Sequence, residues 1–96
     1  MYNVGMSEKI IPASLRQETP NSSCIASVTK QSDRVLDVEF NSGITYRYVL
    51  APEVVEAMMV EAFNDRHNNI APGVGSYSIG QLYNREVRNN PFEIVG

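Results

Sequence analysis

The sequence has no tryptophan, one cysteine and one histidine, and this scarcity excludes several kinds of site. Cys24 has no second cysteine with which to form an internal disulfide. Together with His67 it cannot supply the four ligands of a closed zinc site. His67 also has no defined nucleophile beside it, so the sequence offers no catalytic pair. We therefore expect no metal site, no cofactor and no enzymatic activity.

Basic residues and long apolar runs are also few. The chain has 96 residues and a net charge of −3, which is the wrong sign for a protein that binds nucleic acid mainly through counterion release. No apolar run is long enough to span a membrane, and no signal-peptide pattern is present. A chain of this length buries one core. We expect a one-domain cytoplasmic protein without a membrane partner.

The beginning of the chain differs from the rest in its pattern. Residues 1–20 show no sustained hydrophobic period and end at a proline. We predict that they form an N-terminal arm that becomes ordered against a partner or another subunit. Residues 21–96 are predicted to form the domain.

Hydrophobic periods within the domain predict an α+β fold. The predicted elements are strands at about residues 23–30, 34–40 and 44–50, an amphipathic helix at about 52–67 and a short helix at about 78–88. Pro52 would occupy the first turn of the long helix, where a missing N–H breaks no hydrogen bond. Because each element needs an apolar cover, we expect this helix to lie across an antiparallel three-stranded sheet.

The segment FNSGITYRYVL determines the register of the second predicted hairpin. A three-residue loop with Gly43 in the left-handed conformation pairs each apolar residue with an apolar or aromatic one, and Asp37 with Arg47. A two-residue loop would pair apolar residues with polar ones, which a half-buried sheet does not accept. Tyr46 and Tyr48 are therefore predicted to face the core side of the sheet.

Two interpretations of Tyr46 and Tyr48 remain open. In the first, their rings pack beneath the helix and their hydroxyls find partners at its edge. In the second, they form a platform on which a nucleobase stacks. Both hold if Tyr48 lines the mouth of a pocket.

A second candidate cluster lies near the C-terminus. A glycine-containing turn that runs into a helix N-terminus presents backbone N–H groups to a phosphate or carboxylate. Arg85 and Arg88, three residues apart, would clamp the same anion. Capping by Ser78 beside two surface arginines is the alternative. The candidate ligand-binding residues are Tyr46, Tyr48, Ser76, Ser78, Tyr83, Asn84, Arg85 and Arg88.

Several short motifs follow one another in a recognisable order. They are Ser22-Ser23 with Ile25-Ala26-Ser27, LDVEFNSGITYRYV at 36–49, Pro52 with Val55, and Ser78-x-Gly80-x-x-Tyr83-Asn84-x-x-Val87-Arg88. In this order, over about residues 22–89, they resemble the KTSC domain, a short module named after the C-terminal region of some lysyl-tRNA synthetases. The resemblance implies a small sheet with helices, and it implies RNA binding.

Two functional hypotheses follow from these patterns. The first is a non-catalytic module that binds a nucleotide or short RNA, in one variant by sequestering a nucleotide signal between the subunits of a homo-oligomer. The second is a protein-interaction or adaptor module that acts through the N-terminal arm and an exposed sheet edge. The acidic surface fits the second better.

Overall fold

A computed structural model describes residues 15–67 and 79–96. Its elements are β1 (Leu15–Glu18), β2 (Ile25–Ser32), β3 (Val35–Phe40), β4 (Thr45–Val49), α1 (Pro52–His67), α2 (Ile79–Leu82), a π-helical turn (Tyr83–Val87) and β5 (Phe92–Ile94). The strands form one sheet in the order β1-β2-β3-β4-β5, and each neighbouring pair is antiparallel. The fold is therefore α+β, as predicted.

The predicted number of strands is wrong, because the sheet has five strands and not three. The two further strands lie at opposite edges of the sheet. β1 falls in the segment predicted to be an arm, and β5 falls in the C-terminal tail. β1 is the polar sequence LRQE and β5 is only three residues long, so neither shows a hydrophobic period. Edge strands are commonly short and charged, which hides them from such patterns.

The short helix predicted over residues 78–88 is confirmed at Ile79–Val87, but its second half is not α-helical. α2 is a single turn, and Tyr83–Val87 continues it as a π-helical turn. The backbone N–H of Arg88 donates to the carbonyl of Tyr83 at 2.9 Å. Such an i→i+5 bond adds one residue to the turn. Residue 78 lies outside the described residues.

The β3–β4 hairpin has the predicted register. Asp37 pairs with Arg47, and the tyrosines pair with apolar residues of β3 on the other face. Gly43 has a φ of 97°, and its N–H donates to the carbonyl of Phe40 at 2.9 Å. This left-handed residue closes the three-residue loop, so the parity argument is confirmed.

The long helix is confirmed at residues 52–67. In the described part of the chain, no helix is both long enough and apolar enough to cross a membrane. α1 contacts β1 and β2, whereas the π-helical turn brings the ring of Tyr83 against Tyr48 of β4. The predicted cover of the sheet is therefore shared by two helical segments.

The core lies between these helical segments and one face of the sheet. Its buried residues are Ile25, Val28, Leu36, Val38, Tyr48, Leu50, Val55, Met58, Met59, Ala62, Ile79, Leu82, Tyr83 and Val87. Phe40 and Tyr46 are partly buried and pack against this cluster. The opposite face carries polar residues such as Asp37 and Arg47, and no helix within residues 15–67 and 79–96 packs on it. We call the two faces helix-covered and helix-free in this sense.

Candidate ligand-binding site

Tyr48 and Tyr83 form the buried floor of an aromatic cluster. Tyr48 is 1% exposed and Tyr83 is 9% exposed. Their ring centroids are 5.8 Å apart, and their hydroxyls are hydrogen-bonded to each other. Burial, with a further contribution from this hydrogen bond, raises the pKa of the Tyr48 hydroxyl well above its ordinary value. Tyr48 therefore remains a neutral, packed phenol, which favours the first of its two interpretations.

Three other aromatic rings extend from this buried pair to the protein surface. The ring centroid of Tyr46 lies 5.5 Å from that of Phe40 and 4.9 Å from that of Phe92. β5 pairs with β4 so that Phe92 lies opposite Tyr48 and Ile94 lies opposite Tyr46. Phe92 is 54% exposed. We call Phe40, Tyr46 and Phe92 the aromatic surface.

A groove of about 410 Å³ opens beside this surface, at the end of the β3–β4 hairpin. Its lining consists of Ser23, Cys24, Phe40, Asn41, Ser42, Ile44 and Tyr46. The volume is within the range of small-molecule sites. All of the lining residues are uncharged, with apolar walls from three of them and exposed hydroxyl and amide groups from Ser23, Asn41 and Ser42. Such a lining suits a flat ring with polar edges.

The predicted arginines lie on and after the π-helical turn, and both are exposed. The Nε of Arg85 contacts a carboxylate oxygen of Glu86 at 3.2 Å. Burial dominates the pKa of Tyr48, but the positive charge of Arg88 acts on it in the opposite direction. Arg88 is therefore close enough to the aromatic cluster to influence it. Asn84 is exposed on the same turn.

The anion site predicted at the start of the C-terminal helix stays a prediction. Ser76 and Ser78 lie outside the described residues. α2 itself is one turn long, which gives only a small helix dipole. The predicted clamp by Arg85 and Arg88 also stays a prediction. Residues three apart lie on the same side of an α-helix, but the i→i+5 turn changes the angle between them.

Arg47, which stands between the two tyrosines, belongs to the helix-free face. Its Nε and NH2 groups donate to the two carboxylate oxygens of Asp37 at 2.7 and 2.9 Å. The amide of Gln31 donates to the same carboxylate at 3.0 Å. Arg47 is thus the cross-strand partner of Asp37, as the register predicted, and points away from the aromatic surface.

The sequence reasoning missed part of this site. Phe92 was assigned to a tail, because the three-residue strand that carries it is too short to show a hydrophobic period. Asn41 and Ser42 were treated only as loop residues. The groove also needs Ser23 and Cys24, which precede β2, to lie beside the hairpin, and no local pattern encodes that contact.

Within residues 15–67 and 79–96, no group of three or more His, Cys, Asp and Glu side chains could hold a metal ion. No protein-family model matches the chain, and no curated protein matches it. The resemblance to the KTSC domain therefore stays a prediction.

Proposed function

We propose that this protein is a non-catalytic, cytoplasmic binding module that takes a nucleotide or a short single strand of RNA on its aromatic surface. The observation that carries the proposal is the position of Phe92. This ring is half exposed, lies against Tyr46, and stands on the same sheet face as an uncharged groove. The KTSC resemblance of the sequence is a second support.

Stacking explains how an acidic protein would bind such a ligand. Every nucleobase has a π face, and a base that stacks on an aromatic side chain contributes about 1–3 kcal/mol. This contribution does not depend on the net charge of the protein. Glu53 and Glu56 lie on α1, which packs over β1 and β2, whereas Phe92 and Tyr46 belong to the other edge of the sheet. The acidic residues of α1 are thus set apart from the aromatic surface.

Arg85 and Arg88 supply positive charge for the phosphate of a stacked nucleotide. The support for this assignment is that Arg85 belongs to, and Arg88 directly follows, the turn that begins at Tyr83, whose ring centroid is 5.3 Å from that of Phe40. A guanidinium binds phosphate by two parallel hydrogen bonds. A nucleotide would therefore bind more tightly than its nucleoside.

The test is a titration of the protein with mononucleotides and short RNAs at low salt, followed by calorimetry. We expect saturable binding, and we expect Phe92→Ala to weaken it by about 10- to 100-fold, the cost of one lost stack. Phe63→Ala is the matched control, because Phe63 is 51% exposed and belongs to α1. An absence of saturable binding by the unmodified protein, or an equal loss in both variants, would contradict the proposal.

A comparison of nucleoside with nucleotide tests the phosphate assignment separately. The double variant Arg85→Ala, Arg88→Ala is expected to lose affinity for the nucleotide and to keep its affinity for the nucleoside. Equal losses for both ligands would show that the arginines act through the fold and not on the phosphate.

A second candidate function is a protein-interaction module that acts through residues 1–20 and the sheet edge. It is favoured by β1, an edge strand whose Leu15 is 53% exposed. Deletion of residues 1–14 removes no described strand. If this function is correct, a partner that the full chain captures is lost from the deletion variant when residues 1–14 hold it. The partner is retained there but lost from the Arg16→Pro variant when the β1 edge holds it. A partner that both variants capture unchanged would contradict this function.

A further inference from the structure

β1 has an unpaired backbone edge among the described residues, because it is the first strand of the sheet and pairs only with β2. The N–H of Thr19 donates to the carbonyl of Ala26 at 3.0 Å, so Thr19 and, by alternation, Gln17 direct their backbone groups to β2. The backbone groups of Arg16 and Glu18 therefore point to the open edge. Any strand that pairs there must bond to these two residues.

The alternation allows few registers for a second copy of the same strand. In a two-fold antiparallel pair, an outward-pointing residue must face an outward-pointing residue. Three such registers exist. One sets Arg16 opposite its own copy, one sets Glu18 opposite its own copy, and one sets Arg16 opposite Glu18 twice. Only the third pairs opposite charges, and like charges directly opposite destabilise a sheet.

Gln17 supplies an independent observation. Its side-chain oxygen Oε1 is buried and has no hydrogen-bond partner in the described part of the chain. In the third register, Gln17 faces its own copy in a non-hydrogen-bonded pair, the arrangement in which side chains come closest. The amide Nε2 of each copy can then donate to the Oε1 of the other. Buried polar atoms usually have such a partner.

α1 contacts β1 and β2 on the core face of the sheet. A two-fold pairing of β1 therefore places the second copy of α1 on the same face of the joined sheet, beside the first.

From these observations we propose that the outer edge of β1 is a dimer interface, where a second copy of this chain pairs antiparallel with Gln17 on the two-fold axis. Each Arg16 faces Glu18 of the second copy, and the two five-stranded sheets become one continuous sheet. The aromatic surface lies near β4 and β5, at the far edge, so dimerisation leaves it accessible.

Charge reversal tests the pairing by sedimentation and native mass spectrometry. We expect the unmodified protein to dimerise, and Arg16→Glu and Glu18→Arg each to weaken the dimer by roughly tenfold or more, because each creates two like-charged pairs. An equimolar mixture of the two variants restores both opposite-charge pairs across the interface, so we expect it to form the heterodimer even though the Arg16→Glu chain lacks its internal contact with Glu39. Arg34→Glu, in the exposed β2–β3 turn, is the matched control. Circular dichroism checks that each variant is folded.

Crosslinking tests the register. In a Cys24→Ser background, Gln17→Cys would bring two thiols together across the axis, because opposite Cα atoms in such a pair lie about 4.5 Å apart. We expect this variant to oxidise to a covalent dimer, and Arg16→Cys or Glu18→Cys not to do so. A wild-type protein that stays monomeric, a mixture of charge variants that does not pair, or preferred crosslinking at position 16 or 18 would overturn the proposal.

Discussion

At the scale of single residues, the hydroxyl pair of Tyr48 and Tyr83 is the polar contact buried most deeply among the described residues of the site. Each hydroxyl has the other as its partner, and Tyr48 is almost fully enclosed. A buried hydroxyl that loses its only partner is destabilising, whereas the loss of both partners together can be nearly neutral. The two tyrosines should therefore be strongly coupled.

We predict that Tyr83→Phe lowers the free energy of unfolding by about 1–3 kcal/mol, because it leaves the Tyr48 hydroxyl buried without a partner. The double variant Tyr48→Phe, Tyr83→Phe should be more stable than Tyr83→Phe alone. Urea unfolding of the four proteins in this cycle measures the coupling. If the effects of the two single variants simply add, the hydroxyls do not depend on each other.

The raised pKa of Tyr48 predicts a specific sensitivity to alkaline pH. Below the ordinary tyrosine pKa of about 10, the phenol is protonated in both states and its full contribution to stability is present. Above that pH the unfolded chain loses the proton first, so stability falls as pH rises. Melting temperatures measured from about pH 8 to pH 11 should fall more steeply for the wild type than for Tyr48→Phe. Parallel curves would contradict the assignment.

At this scale the sequence predicted orientation well. Side chains alternate between the two faces of a strand, so the length of the β3–β4 loop fixes which residues face each other. That length alone places Tyr48 on the core face and Arg47 opposite Asp37. The exposure of Phe92 could not be derived in the same way. It depends on a pairing between β4 and β5 that spans the two helical segments.

At the scale of secondary-structure elements, the β3–β4 hairpin depends on one glycine. Gly43 has a φ of 97°, although no atom lies within 4 Å of the position that a Cβ would occupy. A side chain at this position is therefore disfavoured by backbone strain and not by crowding. The same loop borders the groove, which makes its geometry important for the site.

We predict that Gly43→Ala lowers the free energy of unfolding by about 1 kcal/mol, through the cost of a left-handed backbone for alanine. Ser42→Ala, one residue earlier in the same exposed loop, should change it by less than about 0.5 kcal/mol. Thermal unfolding of both variants measures the difference. Equal stabilities would mean that the loop can change its conformation at little cost.

The elements that the sequence predicted are those with a sustained period. The buried residues Val55, Met58, Met59 and Ala62 of α1 recur at helical spacing, and the alternation of β3 continues into β4. A π-helical turn contains one residue more than an α-helical turn. In a segment this short, the spacing of apolar residues cannot distinguish the two kinds of turn. The edge strands β1 and β5 were not predicted for a related reason. Both are short, and β1 is polar, so neither shows a hydrophobic period.

At the scale of the whole molecule, the two faces of the sheet have different roles. The helix-covered face contains the core and, towards β5, the aromatic surface. The helix-free face carries paired charges such as Asp37 with Arg47 and Arg16 with Glu39. The sequence placed Tyr46 on the core face of the sheet, as the register shows, whereas the groove required the assembled sheet.

Chemical-shift mapping by NMR tests the central proposal most directly. Titration of the isotope-labelled protein with a mononucleotide at low salt should produce saturable shifts in the groove around Phe40 and Tyr46 and in Phe92. The residues around Asp37 and Arg47 on the helix-free face should not change. Shifts confined to the helix-free face, or no saturable shifts in the groove, would contradict the proposal that this aromatic surface binds a nucleobase.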